Sequence, residues 1–272
     1  MVPPMGRLEG KVAFITGAAR GQGRAHAVRL ASEGANIIGV DICAPLDVKY
    51  APATLDDLHE TADLVAAEGR KMTAVQADVR ELDELEEAVA RGLADFGRLD
   101  VVIANAGVLT AGLLWEITEE HWQQMIDVNL TGVWHTMKAT VPTLIEQGQG
   151  GSIIIVSSVA GLRGVPFVGH YVAAKHGAVG LCRTLANEVG AYKIRVNSIH
   201  PAAVDTRMND DPDLFELVIR FADTLAPIFM NTLPYTMMDP SDVSNLVAFL
   251  ASDESLYITG AQLPIDFGTL GR

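Results

Sequence analysis

The chain of 272 residues has few basic residues, few cysteines and no long apolar run. Its 20 Lys and Arg are outnumbered by 34 Asp and Glu, which gives a formal net charge of −14. This charge argues against binding to nucleic acid, whose phosphates need a basic surface, and to anionic membranes. No apolar run approaches the roughly twenty residues that cross a bilayer. The first ten residues lack the apolar core of a signal peptide, so we expect a cytoplasmic protein.

The two cysteines, Cys43 and Cys182, are too few for a disulfide framework or a cysteine-based metal cluster. We therefore expect no metal site. His170 and His200 stand beside candidate site residues, but single histidines in such positions are more often structural than catalytic.

Short apolar runs alternate with helical stretches along the chain, and hydrophobic residues make up 49% of it. Strands that are apolar on both faces and alternate with helices predict an α/β fold with a parallel sheet covered on both sides. The predicted strands are 11–16, 36–41, 72–77, 100–104, 153–156, 194–199 and 262–265. The predicted helices are 21–33, 55–68, 82–96, 118–146, 242–251 and one that carries Tyr171 and Lys175.

A single domain is the simpler organisation, although a chain of this length could hold two domains. We expect an N-terminal segment over 1–10 and one domain over 11–272. The stretch 206–238 is apolar, rich in Phe and Met, and interrupted by three prolines. Such a segment after a sheet strand could form a lid over a site for a bulky apolar ligand. A helical flap or a subunit interface is the alternative interpretation.

The turn after the first predicted strand is rich in glycine. It carries Gly17, Gly21 and Gly23, with Arg20 and Gln22 between them. Glycines permit a tight turn and close approach of the backbone, and the N-terminus of the following helix attracts a pyrophosphate. The spacing is GxxxGxG and not the GxGxxG of the usual dinucleotide fingerprint, so the turn alone is weak evidence.

Asp41 ends the second predicted strand, where a carboxylate can accept hydrogen bonds from the ribose hydroxyls of a dinucleotide. The same carboxylate would repel a 2′-phosphate, so the sequence favours NAD over NADP. Arg20 favours NADP instead, because a basic residue in the glycine turn could bind that 2′-phosphate. We give Asp41 more weight, because burying a carboxylate next to a phosphate is costly.

A second set of polar residues lies near the fifth predicted strand. Tyr171 and Lys175 are four residues apart, which places both side chains on one face of a helix. A nearby ammonium is expected to lower the pKa of the phenol, so that Tyr171 can take a proton from an alcohol. Ser158 follows the buried run 153–157, at the edge where open α/β sheets bind ligands. A YxxxK pair on an ordinary surface helix is the alternative.

Taken together, these segments resemble the short-chain dehydrogenases/reductases over 11–267. The resemblance rests on the glycine turn, Asp78-Val79, Asn105-Ala106-Gly107, Asn129, Ser158, Tyr171, Lys175 and Pro201. It implies a Rossmann-type, doubly wound parallel sheet of seven strands, a homotetramer, and hydride transfer between NAD and a secondary alcohol or ketone. The implied catalytic residues are Asn129, Ser158, Tyr171 and Lys175. The implied cofactor-binding residues are Gly17, Arg20, Gly21, Gln22, Gly23, Asp41, Ile42, Asp78, Val79, Asn105, Ala106, Gly107, Tyr171, Lys175, Pro201, Val204 and Thr206.

The chain also resembles the carveol-dehydrogenase-like subgroup that is associated with the redox cofactor mycofactocin. The segments that carry this resemblance are 41–57, 157–164, 170–177 and His200-Pro201. It implies a terpenoid-like or other apolar substrate, mycofactocin as a candidate electron acceptor, and an NAD that does not exchange readily. The insert 42–54 would help to bury that NAD. A surface loop without contact to the cofactor is the alternative for this insert.

Two other functions remain open at this point. The chain could be a pseudoenzyme that binds NAD and acts as a redox sensor for a partner protein, or a structural oligomer with a relic site. The presence of Ser158, Tyr171 and Lys175 together argues against both, because neither function requires these three side chains.

Overall fold

A computed structural model describes residues 6–271 of the chain. Its strands are mostly apolar over their whole length, and β1, for example, is buried at all five positions. Seven parallel strands form one sheet in the order β3-β2-β1-β4-β5-β6-β7. The predicted fold class is therefore confirmed. The strands are β1 Val12–Thr16, β2 Asn36–Asp41, β3 Met72–Gln76, β4 Val101–Ala104, β5 Gly151–Val156, β6 Ile194–Pro201 and β7 Gln262–Ile265.

Helices cover both faces of this sheet, because both faces are apolar and must be buried. One core packs α3, α5 and α6 against the sheet, and the other packs α1, α2 and α9 against the opposite face. The α-helices of the described residues are α1 Gly21–Ser32, α2 Leu55–Ala67, α3 Leu82–Phe96, α4 Glu119–Ile126, α5 Gly132–Gln147, α6 Gly169–Val189, α7 Pro212–Arg220, α8 Ala222–Leu225 and α9 Pro240–Ala251.

The strand order places a crevice at the carboxyl edge of the sheet. β1 has β2 on one side and β4 on the other, so the chain leaves these strands in opposite directions. Open α/β sheets bind ligands at this kind of switch point. The glycine-rich turn follows β1, and the segment 105–110 follows β4, so the two meet at the crevice.

The helix predicted over 118–146 is present but not uniform. It consists of α4, a π-helical segment over Asp127–Thr131, and α5. The π segment contains Asn129, whose amide is bonded to Val108 on the segment after β4. Short π segments occur frequently at functional sites because they redirect one side chain within a helix.

The predicted boundary at residue 10 stays a prediction. Residues 1–5 lie outside the part that the structure describes, as does residue 272. Leu8 is buried, and its N–H donates to the carbonyl of Glu33 at 2.8 Å, so this part of the N-terminal segment packs against the end of α1. Over residues 6–271, no helix combines the length and the apolar character that crossing a membrane requires.

Candidate active site

A cavity of about 660 Å³ lies at the carboxyl ends of β1, β2 and β4. We call it the larger cavity. Most of the residues that the sequence proposed for cofactor binding line it. They are Gly17, Arg20, Gly21, Gln22, Gly23, Asp41, Ile42, Asp78, Val79, Asn105, Ala106, Gly107 and Thr206.

The glycine turn is a close-packed floor of this cavity. Gly17 and Gly21 have positive φ angles of 70° and 54°, which side chains with a Cβ rarely adopt. A Cβ on Gly23 would lie 1.9 Å from the carbonyl oxygen of Gly17. The turn therefore needs these glycines to keep its shape, with the first N–H groups of α1 behind it.

Thr16 and Asn105 join the two sides of the crevice. The Thr16 hydroxyl accepts hydrogen bonds from the N–H groups of Asn105 and Ala106, both at 3.0 Å. The Asn105 amide donates to the carbonyls of Thr16 at 2.8 Å and Gly17 at 3.3 Å. Thr16 was not predicted as a site residue. A hydroxyl at the last position of an apolar strand was the available sequence signal.

Asp41 is buried at the far end of the larger cavity. Its carboxylate accepts from the N–H groups of Ala19 at 3.0 Å and Cys43 at 3.2 Å. Burial raises the pKa of Asp41, while these two hydrogen bonds and the charge of Arg20 act in the opposite direction. The carboxylate thus ties the glycine turn to the end of β2.

The insert 42–54 packs against the body of the protein and lines the larger cavity. The cavity-lining residues that the insert supplies are Ile42, Ala44, Leu46, Val48, Tyr50, Ala51, Pro52 and Ala53. The backbone of Asp47 exchanges two hydrogen bonds with the Gln124 amide on α4, at 3.1 and 2.9 Å. The Tyr50 hydroxyl accepts from the N–H of Leu109 at 3.1 Å. The insert is therefore placed to contact a group in this cavity, and its contact with the cofactor stays a prediction.

A second pocket of about 180 Å³ adjoins the first. We call it the smaller pocket. It shares Gln22, Thr206 and Met208 with the larger cavity, so these three residues separate two neighbouring spaces. Besides Gln22 and Thr206, four predicted site residues line it, namely Ser158, Tyr171, Pro201 and Val204. Its other walls are largely apolar and come from Leu109, Val159, Ala160, Val165, Val168, Leu214 and Phe229.

Ser158 and Tyr171 both line the smaller pocket. The nearby Ser158 side chain acts to lower the pKa of the Tyr171 phenol. Burial has the larger effect and raises the pKa of Tyr171 to about 12. This corrects the expectation that Lys175 lowers this pKa. The ammonium lies 5.4 Å from the centre of the Tyr171 ring and bonds elsewhere.

Lys175 and Asn129 line neither space and are buried behind them. The Lys175 ammonium donates to the carbonyl of Val156 at 2.9 Å, and burial lowers its pKa to about 8. Asn129 accepts from the N–H of Val108 at 3.2 Å and donates to its carbonyl at 3.0 Å. A Cβ on Gly107 would lie 2.7 Å from Asn129 Oδ1 and 3.6 Å from Lys175 Nζ. The two side chains therefore flank Gly107.

The segment 206–238 contributes residues to the walls of both spaces. It supplies Thr206, Met208, Leu214 and Phe229 to the smaller pocket. Phe167 packs against the segment, with ring centres 5.5 Å from Phe221 and 6.3 Å from Phe229. This placement fits the predicted lid, whose opening and closing stay a prediction.

The histidines near the site have structural partners. His170 Nε2 lies 2.8 Å from the Thr110 hydroxyl, and burial lowers its pKa to about 4. His200 is bonded to the backbone of Ser158, a contact that sequence reasoning missed. Within residues 6–271, no three His, Cys, Asp or Glu side chains cluster closely enough to hold a metal ion.

The parallel sheet, the glycine turn and the two adjoining spaces define an α/β oxidoreductase of the Rossmann type. The chain belongs to the short-chain dehydrogenase/reductase family, and the family model that matches residues 17–269 is described as enoyl-(acyl carrier protein) reductase. The resemblance inferred from the sequence motifs is thus confirmed.

Three relatives match over nearly the whole chain. A carveol dehydrogenase from Mycobacterium avium, solved in complex with NAD, is 51% identical, with a TM-score of 0.93 over 98% of this chain and 100% of that chain. A short-chain dehydrogenase from Mycobacterium paratuberculosis, bound to NAD, is 46% identical, with a TM-score of 0.95 and the same coverage. A (−)-trans-carveol dehydrogenase from Rhodococcus erythropolis is 47% identical over 97% of this chain and 99% of its own length.

Proposed function

We propose that this protein is an NAD-dependent oxidoreductase that interconverts a secondary alcohol and a ketone with Ser158, Tyr171 and Lys175. One observation supports this proposal most strongly. Ser158 and Tyr171 lie together in the wall of a small, largely apolar pocket, and this pocket adjoins the glycine-floored cavity. A proton donor and an oxygen-binding hydroxyl thus lie beside a space for a dinucleotide.

The cofactor is NAD, as in the two similar NAD-bound structures. Residues of this chain fit that group. The larger cavity, at about 660 Å³, lies within the range of ligand and cofactor sites. Asp41 ends it with a carboxylate, and the buried Gln22 Oε1 in its wall has no hydrogen-bond partner in the protein. Both are acceptors, suited to the hydroxyl and amide donors of a dinucleotide. When bound, NAD supplies the hydride chemistry at its nicotinamide ring.

The side chains of the smaller pocket bind the substrate oxygen and transfer the proton. The Ser158 hydroxyl binds the substrate oxygen and stabilises the charge that develops there. Tyr171 exchanges the proton with that oxygen. With a pKa near 12, the phenol holds its proton at neutral pH, which suits ketone reduction. Alcohol oxidation requires the phenolate, so alkaline conditions should favour it. Lys175 holds a positive charge near the ring, and Asn129 lies on the same side of Gly107 as the Lys175 ammonium.

The substrate we propose is apolar and terpenoid-like, of the carveol type. Support comes from the apolar walls of the smaller pocket and from the two relatives named as carveol dehydrogenases. Leu109, Leu214 and Phe229 offer no hydrogen-bonding side chain. Only the reacting oxygen of the substrate then needs polar partners, and Ser158 and Tyr171 provide them.

The first test replaces the proton donor. Tyr171→Phe should lower kcat for carveol oxidation by at least about 10²-fold, since general acid–base catalysis contributes about 10²–10⁴-fold. Bound NAD should stay near the wild-type amount, because Tyr171 does not line the larger cavity. Reduction of the NAD carried by the protein, followed through the absorbance of NADH in a single turnover, measures the step without an external acceptor. Tyr257→Phe is the matched control, because Tyr257 is almost fully exposed. A Tyr171 variant with more than a tenth of the wild-type kcat would contradict the proposal, and a wild-type protein without turnover would favour a redox sensor.

We further propose that NAD leaves slowly and is reoxidised in place by an external acceptor, with mycofactocin as the candidate. The insert supports this idea, because it walls the larger cavity and is bonded to the body of the protein at two points. Asp47 is fixed on α4, and Tyr50 reaches Leu109 at the entrance to the smaller pocket. Release of a dinucleotide along this wall would require both contacts to break.

The insert is tested by Tyr50→Phe and by shortening 42–54 to two residues. Loss of the Tyr50 bond removes about 1 kcal/mol, so the dissociation rate of NAD should rise by roughly fivefold, and the shortened loop should raise it further. Tyr257→Phe again serves as the control. Fast exchange of NAD in the wild type, or an unchanged rate in a folded shortened variant, would refute retention by the insert. Turnover with mycofactocin, compared with an artificial dye, tests the acceptor.

We also propose a cytoplasmic homotetramer, in which α4–α5 and α6 pair with the same helices of a second copy. Trp122 and Trp134 on the first of these surfaces are 41% and 46% exposed, which is unusual for such large apolar side chains. Light scattering measures the mass directly, and a monomer at micromolar concentration would contradict the proposal.

A further inference from the structure

His200 is a fully buried histidine at the end of β6, next to the smaller pocket. Its Nδ1 lies 2.7 Å from the backbone carbonyl oxygen of Ser158. Its Nε2 lies 2.9 Å from the hydroxyl oxygen of Ser198. Both ring nitrogens therefore have partners, and one of these partners is the backbone of the proposed catalytic serine.

The acceptor fixes the tautomer of this ring. A carbonyl oxygen can only accept, so Nδ1 must carry the proton and donate it to Ser158. Nε2 is then unprotonated and accepts from the Ser198 hydroxyl. Burial lowers the pKa of His200 and outweighs the hydrogen bond to Ser158, which acts to raise it, and the charges of Lys175, Arg183 and His176 lower it further. The ring therefore stays neutral near pH 7 and holds this one tautomer.

The bond from His200 lies where the strand pairing ends. β5 and β6 pair as far as Val156 and Ile199, and the N–H of Ser157 still donates to the carbonyl of Ile199 at 3.0 Å. At the next residue the imidazole of His200 supplies the donor. The side chain thus extends the contact between β5 and β6 to Ser158, two residues beyond the end of β5.

Together with two other hydrogen bonds, this contact holds the backbone and the side chain of Ser158. The Ser158 carbonyl also accepts from the N–H of Gly161 at 2.9 Å, so both of its lone pairs are used. The Ser158 hydroxyl accepts from the N–H of Ala160 at 3.1 Å, which directs its own hydrogen away from that turn. The orientation of the hydroxyl toward Tyr171 therefore depends on how the backbone of Ser158 is held.

We propose that His200 is a positioning residue of the reaction, which sets the backbone of Ser158 through its Nδ1–H and thereby aims the Ser158 hydroxyl at Tyr171 and the substrate oxygen. The inference rests on the proposed role of Ser158. His200 touches neither the larger cavity nor the smaller pocket, so it acts only through Ser158.

Two amide substitutions separate the two bonds of His200. The amide nitrogen of Asn is three bonds from Cα, as Nδ1 is, so His200→Asn keeps a donor for Ser158. The amide of Gln lies four bonds from Cα, as Nε2 does, so His200→Gln keeps the contact to Ser198 and loses the one to Ser158. Ser158 still has Gly161 as a donor in either variant, so no buried carbonyl is left without a partner.

The expected result is a difference in kcat between these variants. A displacement of a reacting group by about 1 Å can cost roughly 10²-fold in rate, so His200→Gln should lower kcat for carveol at least tenfold. His200→Asn should retain activity within about threefold of the wild type. KM for carveol and the amount of bound NAD should change by no more than about twofold in both. Equal kcat values for the two variants would overturn the inference.

A double-mutant cycle with Ser158→Ala separates failure of this inference from failure of the proposed function. If Ser158 is catalytic and His200 acts through it, Ser158→Ala lowers kcat by itself, and adding His200→Gln lowers it little further. Additive losses would overturn the inference and leave the role of Ser158 intact. Full activity of Ser158→Ala would overturn the proposed function itself.

A measurement on the wild-type protein covers the case in which the variants fail to fold. The ¹⁵N chemical shifts of His200 report which ring nitrogen carries the proton. The inference requires the Nδ1–H tautomer, with a slowly exchanging proton, near neutral pH. An Nε2–H tautomer would overturn it, because the carbonyl of Ser158 would then have lost the donor that His200 supplies.

Discussion

Gly23 occupies the position in the glycine turn that has the least room. A Cβ there would lie 1.9 Å from the carbonyl oxygen of Gly17, 2.7 Å from its carbonyl carbon and 2.8 Å from the Asn105 amide nitrogen. Two of these atoms are backbone, and the third is held by hydrogen bonds to Thr16 and Gly17. Gly23→Ala must therefore displace the turn by about 1 Å, since Cβ atoms are essentially never found closer than 3.0 Å to such neighbours.

The displacement has two measurable consequences. Overpacking of a buried position costs about 1–3 kcal/mol, so the free energy of unfolding without cofactor should fall by that amount. The shifted turn also carries the N–H groups of α1 away from the pyrophosphate. A hydrogen bond to a charged group contributes about 1.5–3 kcal/mol, so loss of one such bond should lower the affinity for NAD by a factor of roughly 10 to 150. At a temperature where the variant is folded, its NAD affinity should therefore fall by more than the loss of stability alone would cause.

The assay is calorimetric titration of NAD into protein freed of cofactor, with urea unfolding measured in parallel. Gly190→Ala is the matched control. Gly190 has helical backbone angles of −58° and −36°, and nothing within 4 Å would meet its Cβ. Its NAD affinity should equal that of the wild type. A folded Gly23→Ala protein that binds NAD as tightly as Gly190→Ala would refute the packing argument.

Two further predictions concern buried charge. Asp41→Asn keeps an acceptor for the N–H of Ala19 but removes the negative charge. A hydrogen bond to a charged group contributes about 1.5–3 kcal/mol, so the ratio of NADP affinity to NAD affinity should rise at least tenfold. An unchanged ratio in parallel titrations would mean that Asp41 does not face the ribose. Burial lowers the pKa of His26 to about 3 from 6.5, so unfolding takes up a proton between these values and stability is lost as the pH falls below 6.5. At about pH 5 this loss is about 2 kcal/mol. In His26→Asn, whose amide can still bond Ser244, this loss of stability at acid pH should disappear. The measurement is the free energy of urea unfolding at neutral and at acid pH for both proteins. Equal losses in the variant and the wild type would mean that His26 is not the group responsible.

The sequence by itself determined the elements and the place of the site on them. β1 and α3 follow from apolar runs and helical periodicity, which depend on neighbours a few residues apart. The same holds for the spacing of Tyr171 and Lys175, since α6 carries both on one face. Parallel strands bring their carboxyl ends to one edge, so residues that follow strands meet there without further information. The glycine turn, Asp41 and Ser158 were predictable in this way.

Only the tertiary structure decided how these groups are held and how acidic they are. The bond from Tyr50 to Leu109 joins residues 59 positions apart, and that from His200 to Ser158 joins residues 42 positions apart. No local pattern encodes such pairs, because each depends on how separate elements pack. The pKa of Tyr171 shows the same limit. The spacing to Lys175 predicts a lowered value, but burial of the ring outweighs it, and the depth of a side chain exists only once the chain has folded around it.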